Sequence, residues 1–303
     1  MFSELLRESG LSLERLQSFC LVALAGGMTS AAKGEPARQS LFSRQIKELE
    51  EFFGTELIRR KGRGIVLTAT GQRLHVIVRE TFTALGDFKD HCKGQHIEVV
   101  VGAGESVIEW LLVPKLQEIR KRLPGVLFKF LNLSTAESVK RLADGLIDFA
   151  VVRKDAVFRP LKHTPLGLMT YSLFVPLGLH KSDAPTKGEI KMLSGLPLAT
   201  LEGEGTFRST LTRAAKKENV TLNIQVECSS FPLAARAVAK ANVAAILPRI
   251  AEVDLPRSAV EQVKLPFLKG LDRQICLASN ARLSRIRPIL GKVASELERL
   301  CRF

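Results

Sequence analysis

The chain has 303 residues, 46% of them apolar, which exceeds one ordinary core and points to two or three domains. A formal net charge of +14 and a pI near 9.8 favour polyanions or anionic ligands, leaving nucleic acid, an anionic membrane surface and acidic metabolites open beside a merely basic surface. No apolar run is long enough to span a bilayer, and Glu4, Arg7 and Glu8 stand where an export signal would be apolar, so a soluble, cytoplasmic protein with no membrane partner is expected.

A first helix is predicted over 13–25, with Leu13, Leu16, Phe19, Cys20, Ala23 and Leu24 at helical spacing. Gly26 and Gly27 end it, because glycine tolerates the left-handed position past a helix. Thr29 is placed to cap a second short helix, SAAKG, which Gly34 and Pro36 stop. A third helix follows over roughly 39–53, its inward stripe being Leu41 or Phe42, then Ile46, Leu49 and Phe53, with Gly54 closing it. The basic tract RRKGRG (59–64) and the strand-like run Ile65, Val66, Leu67 complete three helices and a β-wing.

Residues 71–92 read as one long helix in which Leu74, Val78, Phe82, Leu85 and Phe88 recur at spacings of three and four. Such a stripe suits a seam between two copies, with packing on its own domain as the alternative. From residue 97 the strands IEVVVGA, VLFKFLNL and IDFAVVR alternate with helices over 107–122 and at ESVKRLADG. The order then repeats: strand Leu173–Pro176, LPLATLE (196–202), helix 207–218, strand TLNIQVEC (221–228), helix 231–241 and strand VAAILP (243–248). A last strand, RQICLAS, and a helix over 282–301 remain. Alternation implies a parallel sheet with right-handed crossovers, and two similar α/β halves imply two subdomains flanking a cleft.

Two short helices joined by a tight turn can set the second into the DNA major groove. Arg38, Gln39, Ser40, Ser43, Arg44 and Lys47 lie on or near the polar side of the third helix; glutamine can read adenine and arginine guanine. Arg59, Arg60, Lys61 and Arg63 suit backbone phosphates. On periodicity and charge alone, a solvated polar helix and a charged hairpin fit as well.

The stretches LxxLxxFxxVAxxGxxTxAA, SRQIKELEEFFGTELIRR and LTATG, spaced without a gap over 13–71, resemble the winged helix-turn-helix of LysR-type transcriptional regulators. IEVVVGAGES, LLVPKLQEIRKRLPGV, GLIDFAVVR and VAAILP continue the likeness along the rest of the chain. The resemblance implies an α/β protein with a winged helix-turn-helix at 1–70, a linker and dimerisation helix at 71–93, and an effector-binding domain at 94–303 similar to periplasmic binding proteins. Its subdomain I would take 94–165 and 270–303, the final strand and helix returning to it, and its subdomain II 166–269. The implied function is sequence-specific DNA binding modulated by a small molecule, in a homodimer or homotetramer, with an operator and RNA polymerase as partners. Thr29, Arg38, Gln39, Ser40, Ser43, Arg44, Lys47, Arg60 and Arg63 would face DNA; Leu74, Val78, Phe82 and Leu85 would form the dimer seam. The sequence departs from the family where an apolar residue, serine and proline are usual: Glu35, Arg38 and Ser40 stand there, so Arg38 cannot cap the reading helix and Glu35 would be costly if buried. Asn242 stands for a usual glycine and tolerates the left-handed region.

Ser106, Ser134, Thr135 and Thr206 follow strands and precede helices, where free N–H groups suit a carboxylate. The resemblance implies an effector site lined by these four with Arg153 and Phe207, against the plain alternative of helix capping. With Arg153 ending a strand and no evident carboxylate to hold a cation, the expected effector is an anion, a carboxylate by preference. A degenerate cleft, with regulation through concentration or a partner protein, is the competing possibility.

Nothing indicates an enzyme. The glycines of GAGES and GEGTF lack a dinucleotide fingerprint, GxxxxGK[ST], GxSxG and HExxH are missing, and His75, His91, His96, His163 and His180 form no ligand spacing, so neither cofactor nor metal is expected. His75 and His91 are expected on the surface. The five scattered cysteines, Cys20, Cys92, Cys228, Cys276 and Cys301, read as buried structural thiols, with a redox-sensing thiol as the lesser alternative. The rival function is a small-molecule-binding protein or enzyme on the same α/β fold without a regulatory role.

Overall fold

The computed structural model describes residues 10–62, 64–179, 190–203 and 205–303, with the side chain of Thr206 left out. The chain divides into two compact units, one up to Gln95 and one from His96.

In the first unit, α1 (Leu13–Ala25) is capped by Ser12, whose hydroxyl accepts from the Arg15 amide, and it ends at Gly26 with φ 68°. The second helix, α2, is Met28–Ala31 with Gly27 as its extended N-cap, so Thr29 lies inside the helix rather than capping it. Pro36 does not merely stop α2. It occupies the first turn of α3 (Pro36–Phe53), where a missing N–H costs nothing, and the helix begins three residues before the predicted start. Arg38 therefore sits in the first turn and is not asked to cap. Exposed Glu35 takes the cap position through its backbone, so no buried charge arises.

Phe42, Ile46 and Leu49 form the inward stripe of α3, packed with Phe19, Val22, Ala32 and Leu57. Leu41 and Phe53 face out, as do Leu13 and Leu24 on α1. Ser18 donates to Gln45 at 2.6 Å and Arg15 meets Glu48 at 2.5 Å, fixing α1 against α3. The wing is an antiparallel hairpin of β1 (Ile58–Lys61) and β2 (Gly64–Leu67), so the basic tract is itself a strand. The Glu50 carboxylate accepts from the amides of Leu57 and Ile58, and the Ile65 amide donates to Gly26, which ties the wing to both helices.

Helix α4 (Ala69–Cys92) starts at Thr68, whose hydroxyl accepts from Gly71 N and donates to Glu56 O. A Cβ on Gly71 would lie 1.9 Å from the Leu57 carbonyl oxygen, so this close approach admits only glycine. Val78 is buried in the unit's own core, with Leu74 and Phe82 packed against it. These three of the four seam candidates thus serve their own domain. Ile77, Leu85 and Phe88 are the exposed large apolar residues of this helix. His75 is half-buried, edge-on to Phe19 at 6.3 Å, and is not the expected surface group, whereas His91 is exposed.

The second unit holds two five-stranded sheets. The first has the order β4-β3-β5-β12-β6 and the second β11-β7-β10-β8-β9. The strands are β3 (Ile97–Ala103), β4 (Val126–Asn132), β5 (Phe149–Arg153), β6 (Lys162–Met169), β7 (Tyr171–Pro176), β8 (Leu198–Leu201), β9 (Ile224–Cys228), β10 (Ala244–Pro248), β11 (Val260–Val263) and β12 (Arg273–Ser279). Both sheets are mixed, not parallel: β12 runs antiparallel to β5 and β6, and β7 antiparallel to β10 and β11. The chain leaves the first sheet at Thr170 and returns at Asp272, so the first handover falls after β6 and not at 165. The predicted helix over 107–122 is broken into Glu105–Val107, a π-turn Ile108–Leu112, a 3-10 turn Val113–Lys115 and an α-helix Leu116–Arg122, as Pro114 removes an amide donor. The last helix likewise divides at Pro288 into Ala281–Ile286 and Ile289–Leu300.

The return of the C-terminal segment to the first sheet is locked by a buried pair, Asp148 with Arg287. Asp148 also accepts from Val100 N at 2.8 Å, and Arg287 donates to Glu98 O at 2.9 Å, so both charges have further partners. The π-turn carries Trp110 out of the first sheet's layer into the second sheet's core, beside Phe174 and Leu247. Its indole N–H donates to Asp254 at 2.7 Å, and Glu109 pairs with Arg236 at 3.7 Å. Asn242 ends the helix Phe231–Ala241 in the left-handed region, at φ 52°.

Candidate functional site

The polar face of α3 is a continuous exposed strip. Gln39, Ser40, Ser43, Arg44 and Lys47 are all exposed, opposite buried Phe42, Ile46 and Leu49. Arg44 lies 3.8 Å from Glu48 and Lys47 3.7 Å from Glu51, pairs one helical turn apart that leave both cations largely in solvent. Arg38 is exposed as well, its guanidinium resting over the Phe42 ring at 5.6 Å from the ring centre. Thr29 is exposed on α2, and Arg59, Arg60 and Lys61 are exposed along β1. Arg63 lies outside the described residues.

Candidates in the second unit scatter more. Ser106 is half-buried in the first turn after β3, with Gly104 as the cap. Ser134 caps the helix Thr135–Ala143 in a reciprocal capping box: its hydroxyl accepts from Glu137 N, and the Glu137 carboxylate accepts from Ser134 N and Oγ. These bonds hold the Glu137 carboxyl below its usual range, and the Ser134 hydroxyl is thereby engaged locally. Thr135 and Arg153 do come together, lining one groove of about 440 Å³ with Lys140, Val139, Asp144 and Phe158. Arg153 also approaches Asp155, at 3.7 Å.

Phe207 packs elsewhere, in an aromatic cluster with Tyr171 and Phe231, the ring centres 5.1 to 6.0 Å apart. Burial pushes the Tyr171 hydroxyl above its usual range, against the pull of Arg273 and Arg153. The sequence reading missed Tyr171, Phe231 and Lys140. Tyr171 is the single tyrosine of the chain and begins the strand next to the handover, the one signal that pointed to it.

Four of the five thiols are buried, and Cys92 is exposed. Burial raises Cys20, Cys276 and Cys301 to about 11 and pushes Cys228 upward.

Comparison with known proteins adds the following. The family model for the LysR substrate binding domain matches residues 93–289, and that for the bacterial regulatory helix-turn-helix protein, lysR family, matches 13–72. A probable nitrogen assimilation transcriptional activator of Synechococcus elongatus is 28% identical over 269 residues, 84% of this chain and 85% of the relative. Two solved structures share the fold. A full-length OxyR variant from Pseudomonas aeruginosa has a TM-score of 0.65 at 19% identity, covering 97% of this chain and 96% of that one. Full-length LysG from Corynebacterium glutamicum with bound effector arginine has a TM-score of 0.62 at 14% identity, covering 94% and 99%.

Proposed function

This chain belongs to the LysR family of DNA-binding transcription regulators, and from that premise we propose that a small carboxylate governs its hold on an operator. The observation that carries the proposal is the groove shared by Thr135, Lys140 and Arg153, where, contrary to the expectation of no carboxylate, Asp144 also lines the wall but is outnumbered by the two cations. Thr135 opens a nine-residue helix whose N-terminal N–H groups favour an anion, while Arg153 and Lys140 supply positive charge from the strand end and the helix face. Val139 and Phe158 offer apolar surface to the rest of such a ligand. The LysG structure has arginine as its bound effector, an amino acid that carries a carboxylate beside two cationic groups.

Reading of DNA is assigned to Gln39, Ser43, Arg44 and Lys47 on α3, with Arg60 on phosphate. Two copies present two reading heads, joined along α4 through the exposed Ile77, Leu85 and Phe88. Ligand binding shifts the two sheets of the second unit against each other and with them the spacing of the heads.

Thermal shift of the full chain against organic acids, amino acids and neutral metabolites tests the effector. A carboxylate at a hundred times its dissociation constant adds about 2.7 kcal/mol. Thr135→Ala with Arg153→Ala removes that gain. Stabilisation by neutral or cationic compounds alone, indifferent to the double substitution, overturns the carboxylate reading.

A further inference from the structure

A second cavity, of about 320 Å³, lies where the chain passes between the two sheets. It shares no lining residue with the groove of Thr135 and Arg153. Thr170 and Ser172 line it from one handover and Asp272 from the other. Arg249 reaches it from the turn after β10, Lys264 from the end of β11, and Lys269 from the 3-10 turn Pro266–Leu271. None of these three cations forms an ion pair among the described residues. Three positive groups converging on one carboxylate repel each other, and the unbalanced charge favours a dianion.

The second observation is independent of charge. Ser172 is fully buried, and its hydroxyl has no hydrogen-bond partner. A buried hydroxyl left unmatched is costly, and a bound acceptor recovers that cost. We propose that this cavity is a phosphoryl-binding site, with Arg249, Lys264 and Lys269 as its cations and the Ser172 hydroxyl as a donor from the β7 side. A phosphoryl group suits it because a tetrahedral dianion accepts from several directions at once, as donors from three separate chain segments require. Occupancy ties together both crossings of the chain and so stiffens the joint between the two sheets. The source of the group is either free phosphate or a small phosphorylated metabolite.

The test is calorimetric titration of the full-length protein with inorganic phosphate and, separately, with glycerol 3-phosphate, ionic strength being held constant with sodium chloride. Saturable binding of either is expected; tighter binding of the ester identifies a metabolite, and binding of phosphate alone identifies the free ion. Lys264→Ala with Lys269→Ala, both exposed positions, weakens binding by about tenfold or more, and Ser172→Ala weakens it to a smaller degree. Arg44→Ala and Thr135→Ala leave it unchanged, which separates this cavity from the DNA face and from the carboxylate groove. Absence of saturable binding at millimolar ligand, or binding indifferent to the double substitution, overturns the proposal without touching the carboxylate reading.

Discussion

Arg44→Ala isolates DNA reading from folding. The side chain is 72% exposed, and its ion pair with Glu48, at 3.8 Å, spans a single helical turn. Exposed pairs of this spacing contribute about 0.3–0.5 kcal/mol, and Glu48 keeps Arg15 as a shorter-range partner, so global stability falls by no more than about 0.5 kcal/mol. Loss of an arginine that reads a base costs roughly 1–3 kcal/mol in binding, equivalent to about 5- to 150-fold in affinity, and relaxes preference at one position. Fluorescence anisotropy with DNA from upstream of the protein's own gene, across a salt series and against scrambled DNA, measures both effects. Arg60→Ala is the contrast. It weakens all sequences alike and lowers the salt slope by about one. Unchanged operator affinity for Arg44→Ala, with unfolding curves superimposed, refutes the assignment of this face to base reading.

Other outcomes follow from particular contacts. Gly71→Ala drives a methyl into the Leu57 carbonyl, and since both atoms belong to backbone the clash costs about 3 kcal/mol or more, lowering the first unit's thermal midpoint by roughly 10 °C or more; an unchanged midpoint contradicts the close approach. Leu85→Glu weakens self-association without unfolding the helix-turn-helix, whereas Val78→Glu unfolds it, as sedimentation and circular dichroism will distinguish; a fully associated Leu85→Glu protein moves the seam elsewhere. At pH 8 the thiols of Cys20, Cys276 and Cys301, raised to about 11 by burial, stay protonated as well as covered. Ellman's reagent then titrates one thiol rapidly in the native protein, Cys92, and a second fast thiol counts against that picture.

The first unit was legible because its signals are local. Phe19, Ile46 and Leu49 sit at helical spacing, Gly26 and Gly54 mark helix ends, and the LTATG run ends at Gly71, where the packing leaves no room for a side chain. Misplacements there came from reading Pro36 as a stop when proline serves as well at a first turn. In the second unit the two missed strands, β6 and β11, are both sheet edges. Edge strands tolerate proline and partial polarity, so Pro165 and Gly167 in β6 and the polar centre of β11, Glu261 and Gln262, hid them. The antiparallel pairings of β7 with β10 and of β12 with β5 join strands that were all read, but local alternation of strand and helix carries no information on the direction of strands that meet across a long return. The overlong helices at 107–122 and 282–301 carried their own correction in Pro114 and Pro288. At the candidate effector site, Thr135 and Arg153 were readable as donors after strands. The S-x-x-E spacing from Ser134 to Glu137 also announced an ordinary capping box. Phe207, by contrast, found its neighbours Tyr171 and Phe231 through tertiary packing that no local spacing encodes.

Trp110 has a consequence beyond packing. It is the single tryptophan of the chain, and it belongs by sequence to one sheet and by contact to the core of the other. Its emission therefore arises from one place, the contact that must loosen when the two sheets part. In its buried setting, with the N–H held by Asp254, the indole emits toward the blue; water reaching it after the sheets part moves that emission to the red. The movement proposed above is thus readable in a cuvette without a label, as opposite spectral shifts for ligands that clamp or spread the two halves.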